Sequence, residues 1–143
     1  MKLLLTYFGL LTFILNVDAQ KQGIAGEVFW VYGNQMPGPG KPPSSEVGIV
    51  REIHIYKATR LGDVEQLDGF YTKINTEFVT KTQGHTSGLF KVKLPPGEYS
   101  VFIKEEKGFF GNIFDKDGKI NCIVVKPKKY SIITIMVDYE AVY

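Results

Sequence analysis

Apolar and polar residues alternate with a period of two through most of the chain beyond residue 23. Ile24, Gly26, Val28 and Trp30 share one face of the first run, with Glu27 on the other. Within residues 49–58, Ile53 and Ile55 alternate against Glu52, His54 and Tyr56. Residues 76–82 form a short run rich in Thr, Phe and Val. Phe90, Val92 and Leu94 then alternate with Lys91 and Lys93. After Pro95-Pro96-Gly97, Tyr99, Val101 and Ile103 alternate with Ser100, Phe102 and Lys104. Such alternation marks strands with one buried face, and two runs flanking a Pro-Gly turn predict a β-hairpin. Phe102 falls on the polar side, so part of the outer face is expected to be covered. Residues 120–125 and 130–139 predict a closing pair of strands, joined by a turn with Lys126, Lys128 and Lys129. The last run is apolar on both faces (Ile132, Ile133, Ile135, Met136, Val137), which suits a position between neighbours. Leu61, Val64 and Leu67 are spaced for a short helical turn that Asp68-Gly69 would end.

Composition strengthens the β reading. Residues 20–143 hold 12 Val, 12 Ile and 7 Thr but only 4 Leu and 3 Ala. β-Branched side chains favour strands, and a helical bundle would need the reverse ratio. Seven strands at short intervals predict an all-β domain over residues 20–143, an antiparallel sandwich of two sheets. Residues 1–19 stand apart. Lys2, an apolar run over residues 3–15 and Val17-Asp18-Ala19 have the form of a secretory signal peptide cut after Ala19. The run is short for a bilayer span, and no later segment is long and apolar enough for one. The expected product is exported, periplasmic or extracellular, and soluble after cleavage. A net charge of +2 is too small to point to nucleic acid or an anionic membrane. Cys122 is the only cysteine. It either packs as a small apolar residue or pairs between chains.

The stretch Gly88-Leu89-Phe90-Lys91-Val92-Lys93-Leu94-Pro95-Pro96-Gly97-Glu98-Tyr99 resembles the signature of carboxypeptidase regulatory-like domains. These are transthyretin-like (prealbumin-type) Greek-key β-sandwiches. Ile24-Ala25-Gly26-Glu27-Val28 resembles that family's first strand. Lys107-Gly108-Phe109 resembles the Gly-aromatic pair that follows its hairpin. The resemblance implies that Phe90 and Tyr99 plug the sandwich and that Gly88 permits a tight turn. It implies no chemistry. The family often carries Thr-Asp-x-Asp before its Gly. Here that place reads Gly84-His85-Thr86-Ser87, so no cation turn is expected.

The search for catalytic groups points the same way. A peptidase zinc site needs His-x-x-Glu, but His54 is followed at the third place by Lys57 and His85 by Gly88. Two His and one Cys cannot build an ordinary zinc cluster, so no metal or cofactor is expected. Cys122 has no electropositive setting to activate it. The acid, Lys and Asn of self-linking surface sandwiches are missing, with Ile103 at the acid's place and Glu27 in the first strand. The C-terminal Tyr-Arg-Gly-Ser of transthyretin-like hydrolases is replaced by Tyr139-Glu140-Ala141-Val142-Tyr143.

The expected function is therefore non-enzymatic binding of a protein or glycan through loops at one end of the sandwich. The alternative is a structural or accessory part in an envelope or surface assembly. Residues 32–48 hold four of the seven prolines, and a loop of that length is either functional or a cover over a sheet edge. The candidate contact residues are Trp30, Tyr32, Asn34 and Met36 with this loop, and Phe109 and Phe110 after the hairpin. Exposed aromatics stack on sugars or anchor protein partners, though the strand parity of Trp30 also places it in the core.

Overall fold

The computed structural model describes residues 21–40 and 46–143, so the leader assigned to residues 1–19 lies outside the described residues. Eleven strands follow one another: β1 (Gly23–Asn34), β2 (Glu46–Gly48), β3 (Glu52–Lys57), β4 (Val64–Leu67), β5 (Phe70–Ile74), β6 (Phe78–Gln83), β7 (Leu89–Lys93), β8 (Gly97–Glu105), β9 (Gly108–Phe110), β10 (Cys122–Val125) and β11 (Tyr130–Val142). The seven expected runs are β1, β3, β6, β7, β8, β10 and β11, and β2, β4, β5 and β9 are short additions.

The strands form two packed sheets, the all-β sandwich that the alternation predicts. In the four-stranded sheet β1 is central. β11 runs parallel along one side of it, and β7 and β2 lie end to end, antiparallel, along the other. The seven-stranded sheet has the order β4-β5-β9-β8-β3-β6, with β10 sharing an edge of β8 with β9. Ile24, Val28, Phe90, Ile135 and Val137 meet Ile53, Ile55, Tyr99, Val101 and Ile103 between the sheets. Phe90 and Tyr99 are 2% and 1% exposed. Burying each large apolar side chain is worth about 1.5–3 kcal/mol, so this layer is the main source of stability.

Four local expectations are corrected. The runs around Pro95-Pro96-Gly97 are not a hairpin: β7 pairs with β1 in one sheet, while β8 pairs with β3, β9 and β10 in the other. The prolines turn the chain across the core, and the Tyr99 hydroxyl closes the crossing by donating to the Pro95 carbonyl at 2.6 Å. The lysine turn makes a second crossing, because β10 pairs with β8 and β11 with β1. Alternation reports which face is buried, not which sheet a strand joins. Leu61, Val64 and Leu67 do not share a helix. Residues 61–63 make one 3-10 turn, and β4 and β5 form a hairpin whose turn residues Asp68 (φ 52°) and Gly69 (φ 84°) are both left-handed. That is the conformation a two-residue turn matched to strand twist requires. β11 is an edge strand rather than a central one, and its Ile132 is 72% exposed.

Gly88 does what the resemblance implies. It takes φ 84°, and a Cβ there would run into the Val28 carbonyl. Gly26 has a different role: a side chain there would meet the Phe90 ring and the Ile133 carbonyl, so its absence lets the Phe90 ring pack close against β1.

Candidate functional site

The six candidate residues fall in three places. Trp30 is half-buried against the core and meets Tyr139 edge-on, with ring centroids 5.0 Å apart. Phe110 is only 6% exposed and packs 5.6 Å from the same tyrosine, so it has no surface to offer a partner. Alternation within Gly-Phe-Phe explains this: Phe110 points between the sheets and Phe109 points away. Tyr32, Asn34 and Met36 are exposed on an overhang. Beyond a bulge at Trp30/Tyr32, β1 and β11 continue as a two-stranded ribbon that pairs Tyr32 with Glu140 and Asn34 with Val142. The Asn34 carboxamide oxygen accepts the Met36 N–H at 2.8 Å, and the Gln35 N–H donates to the Val142 carbonyl at 2.7 Å. The first part of the expected loop is thus strand, and its far end, β2, pairs back onto residues 29–31 of β1. Tyr143 joins Tyr32, Met36 and Val142 as exposed apolar surface on this ribbon.

Phe109 belongs to a different assembly, on the outer face of the seven-stranded sheet. His54, Tyr56, Phe78, Phe102, Phe109 and Tyr71 come from five strands and meet mostly edge-on, with His54 and Phe78 tilted. Ring centroids are 4.9 Å apart for His54–Phe109, 5.4 Å for Tyr56–Phe78, 5.6 Å for Tyr56–Phe102 and 5.7 Å for Tyr71–Phe102. Edge-to-face pairs at such spacing are favourable beyond their area. One half of the array is roofed. Ile120 lies over Phe102 and Tyr71, and all three are buried. Asn121 holds this roof, with a left-handed backbone (φ 41°) and no exposure. Its Nδ2 donates to the Val101 carbonyl at 2.9 Å and its Oδ1 accepts the Ile113 N–H at 3.0 Å. The Tyr71 hydroxyl donates to the Gly111 carbonyl at 2.8 Å.

The other half is open. Phe78 is 47% exposed, and Tyr56 and Phe109 are half-buried beside it. Polar groups rim the rings. His54 Nε2 and Glu52 Oε1 are 2.7 Å apart, Lys81 Nζ is 3.5 Å from the same oxygen, and Lys104 Nζ stands 5.8 Å from the Phe109 centroid. The hydrogen bond from His54, with Lys81 assisting, holds the Glu52 carboxyl below its ordinary range. Burial pushes the Tyr56 phenol up, so it stays a neutral donor. Flat apolar rings bordered by one carboxylate and two ammonium groups can stack on a ligand face and hydrogen-bond its edge.

The alternation of residues 52–56 already separates His54 and Tyr56 from the core isoleucines, and Phe102 breaks the polar side of β8. These are the sequence signals for the array. Their convergence depends on β3, β6, β8 and β9 being neighbours, which no local pattern specifies.

Cys122 lies apart on β10, half-buried, and burial followed by Glu98 pushes its thiol up, away from a reactive thiolate. Among the described residues no group of three or more His, Cys, Asp or Glu could hold a metal ion, and no helix is long and apolar enough to cross a membrane. A cleft of about 310 Å³ lined by Asp68, Glu105, Glu106 and Glu140 has its most buried acid already paired. Glu105 accepts Arg51 Nε at 2.9 Å and the Tyr139 hydroxyl at 3.2 Å. No family model, curated protein or solved structure matches the chain. The fold and the array together define an all-β sandwich with an aromatic outer face.

Proposed function

We propose that this chain is a non-enzymatic, exported binding module of the carboxypeptidase regulatory-like, transthyretin-like kind, and that the open half of the aromatic array takes a carbohydrate. The two-sheet sandwich with buried Phe90 and Tyr99 supports the likeness. The observation that carries the binding role is the exposure of Phe78 beside Tyr56, His54 and Phe109 on a face the main core does not use. Aromatic residues left half-open and rimmed by Glu52, Lys81 and Lys104 are suited to a ring with one apolar face and a polar edge. A second reading, a protein partner at the β1–β11 overhang, is favoured by the exposed Tyr32, Met36, Val142 and Tyr143.

A glycan array probed with the mature chain separates the two. Phe78→Ala and Phe109→Ala are expected to weaken a glycan hit by about tenfold or more, the scale of one lost aromatic contact. Tyr32→Ser with Met36→Ser leaves it unchanged. Loss through the Tyr32 and Met36 pair alone moves the site to the overhang. No glycan hit, with a pull-down partner lost through that pair, favours the second reading.

A further inference from the structure

β11 is the free edge of the four-stranded sheet, and one short part of that edge is left open between two closed ends. The Lys129 carbonyl accepts the Gly23 N–H, whereas the Met136 carbonyl accepts Asn112 Nδ2 at 3.2 Å from the opposite side. Backbone groups alternate in direction along a strand. Odd-numbered residues at the start of β11 therefore bond to β1, and Tyr130, Ile132 and Thr134 present their N–H and C=O groups outward. No hydrogen bond from a described residue reaches those groups. The open stretch is stopped at one end by Asn112, which donates to Met136 and to Asp138 Oδ1. At the other end the Lys128 N–H donates to Gln22 Oε1 at 3.2 Å.

Edge strands are normally guarded by charge, proline or a bulge. β7 has Lys91 and Lys93, β6 has Lys81 and β4 has Glu65. Residues 130–137 of β11 have no charge, no Pro and no Gly. At the centre of the open stretch stands Ile132, the most exposed large apolar side chain among the described residues at 72%. Val124 of β10, also exposed, is held beside this edge by the Ser131 hydroxyl, which donates to its carbonyl.

We infer that β11 pairs antiparallel with β11 of a second copy about a two-fold axis at Ile132. An isologous contact of this kind closes at two copies. The register is set by the two stops. Ile132 faces Ile132, and Tyr130 of each copy faces Thr134 of the other, so every open group finds a partner and neither stop is disturbed. In this register Lys128 and Lys129 of one copy lie opposite Met136 and Ile135 of the other, within three residues of its Asp138. The two sheets become one of eight strands, and Val124 falls under the added strand.

Sedimentation equilibrium of the mature chain is expected to show a dimer at about 100 μM, a load that reveals even a weak self-association. Ile132→Lys places a charge at the axis. Thr134→Pro removes only an outward N–H, leaving the bonds to β1 in place. Each is expected to raise the dimer dissociation constant by about tenfold or more, with melting temperature and far-UV circular dichroism kept. The register is read separately in a Cys122→Ser background. Ile132→Cys should form a disulfide between copies on mild oxidation, because paired Cα atoms there lie about 5.5 Å apart. Thr134→Cys should not, since its own copy is displaced roughly 13 Å along the strand. A chain that stays monomeric, a larger assembly, dimers that survive both edge substitutions, or cross-linking at 134 but not at 132 would each overturn the inference.

Discussion

The two faces of the seven-stranded sheet hold different kinds of apolar residue. The inner face is dominated by aliphatic side chains: Ile53, Ile55, Val101 and Ile103 are closed against the opposing sheet. The outer face is aromatic and divided. Phe102 and Tyr71 lie beneath Ile120, while Tyr56, Phe78 and Phe109 are left partly open. Aliphatic surface that is wholly buried stabilises the fold and does little else. An aromatic surface that is half-open contributes little to folding and remains free to bind. The roof over residues 102 and 71 covers one half of the outer face and leaves the other half accessible.

Substitutions should sort along that division. The largest effect is expected inside. Phe90→Ala, which reaches the inner face from the opposing sheet, should cost about 3–5 kcal/mol in denaturant titration, a large part of a small domain's stability. A loss below about 1 kcal/mol would mean that the interior does not depend on this plug. Next comes the roofed half. Asn121→Ala strands the Val101 carbonyl and the Ile113 N–H and gives up a residue suited to a left-handed backbone. It should cost about 2–3 kcal/mol, with a gain in tyrosine fluorescence quenching as the roof loosens. Phe78→Ala should change stability by about 1 kcal/mol or less while abolishing any ligand held on the open half. If it unfolds the chain instead, the two halves do not differ. The smallest effect belongs to the loop leading into the roof. Asp115 Oδ1 accepts the N–H groups of Lys119 and Asp117, each at 2.9 Å, and these bonds hold its carboxyl below the ordinary range. A depressed native pKa adds stability that is complete above the unfolded value and lost as pH falls through the native one. Wild type should therefore lose its advantage over Asp115→Asn only below about pH 4. A difference that persists unchanged into stronger acid would remove the carboxylate from the account.

The same division marks how far the sequence could be read. Alternation identified which side chains of β1, β3, β7 and β8 turn inward, because burial of one face imposes period two locally. It could not tell a hairpin from a crossing. Phe90 and Tyr99 point into one core either way, and only long-range pairing separates the cases. Asp68-Gly69 was legible as a turn, but whether it ends a helix or joins two strands depended on Leu61 and Leu67 having no core to enter. Among the candidate contact residues, Phe109 and Phe110 are adjacent in sequence and opposite in the fold. Their separation follows from β9 being a strand of three residues, too short to show a period. His54, Tyr56 and Phe78 carried a weak signal, aromatic residues on nominally polar faces, whose meaning required knowing that their strands are neighbours.

The parallel pairing of β1 with β11 joins Gly23 to Tyr130 and Ile24 to Ser131, residues from opposite ends of the domain. Both crossings between sheets likewise exchange a local contact for a distant one. Such a topology has high contact order, and loop closure must be completed before its contacts return any stability, so folding is expected to be slow for a domain of this size. The β4–β5 hairpin can form early, on the microsecond scale of local turns. β1 cannot: until residues 130–142 arrive it has one side unpaired. A chain made from its N-terminus therefore contains nearly all of its strands while still lacking a closed sandwich, and the final strand acts as the fastener that converts a collapsed precursor into the folded domain.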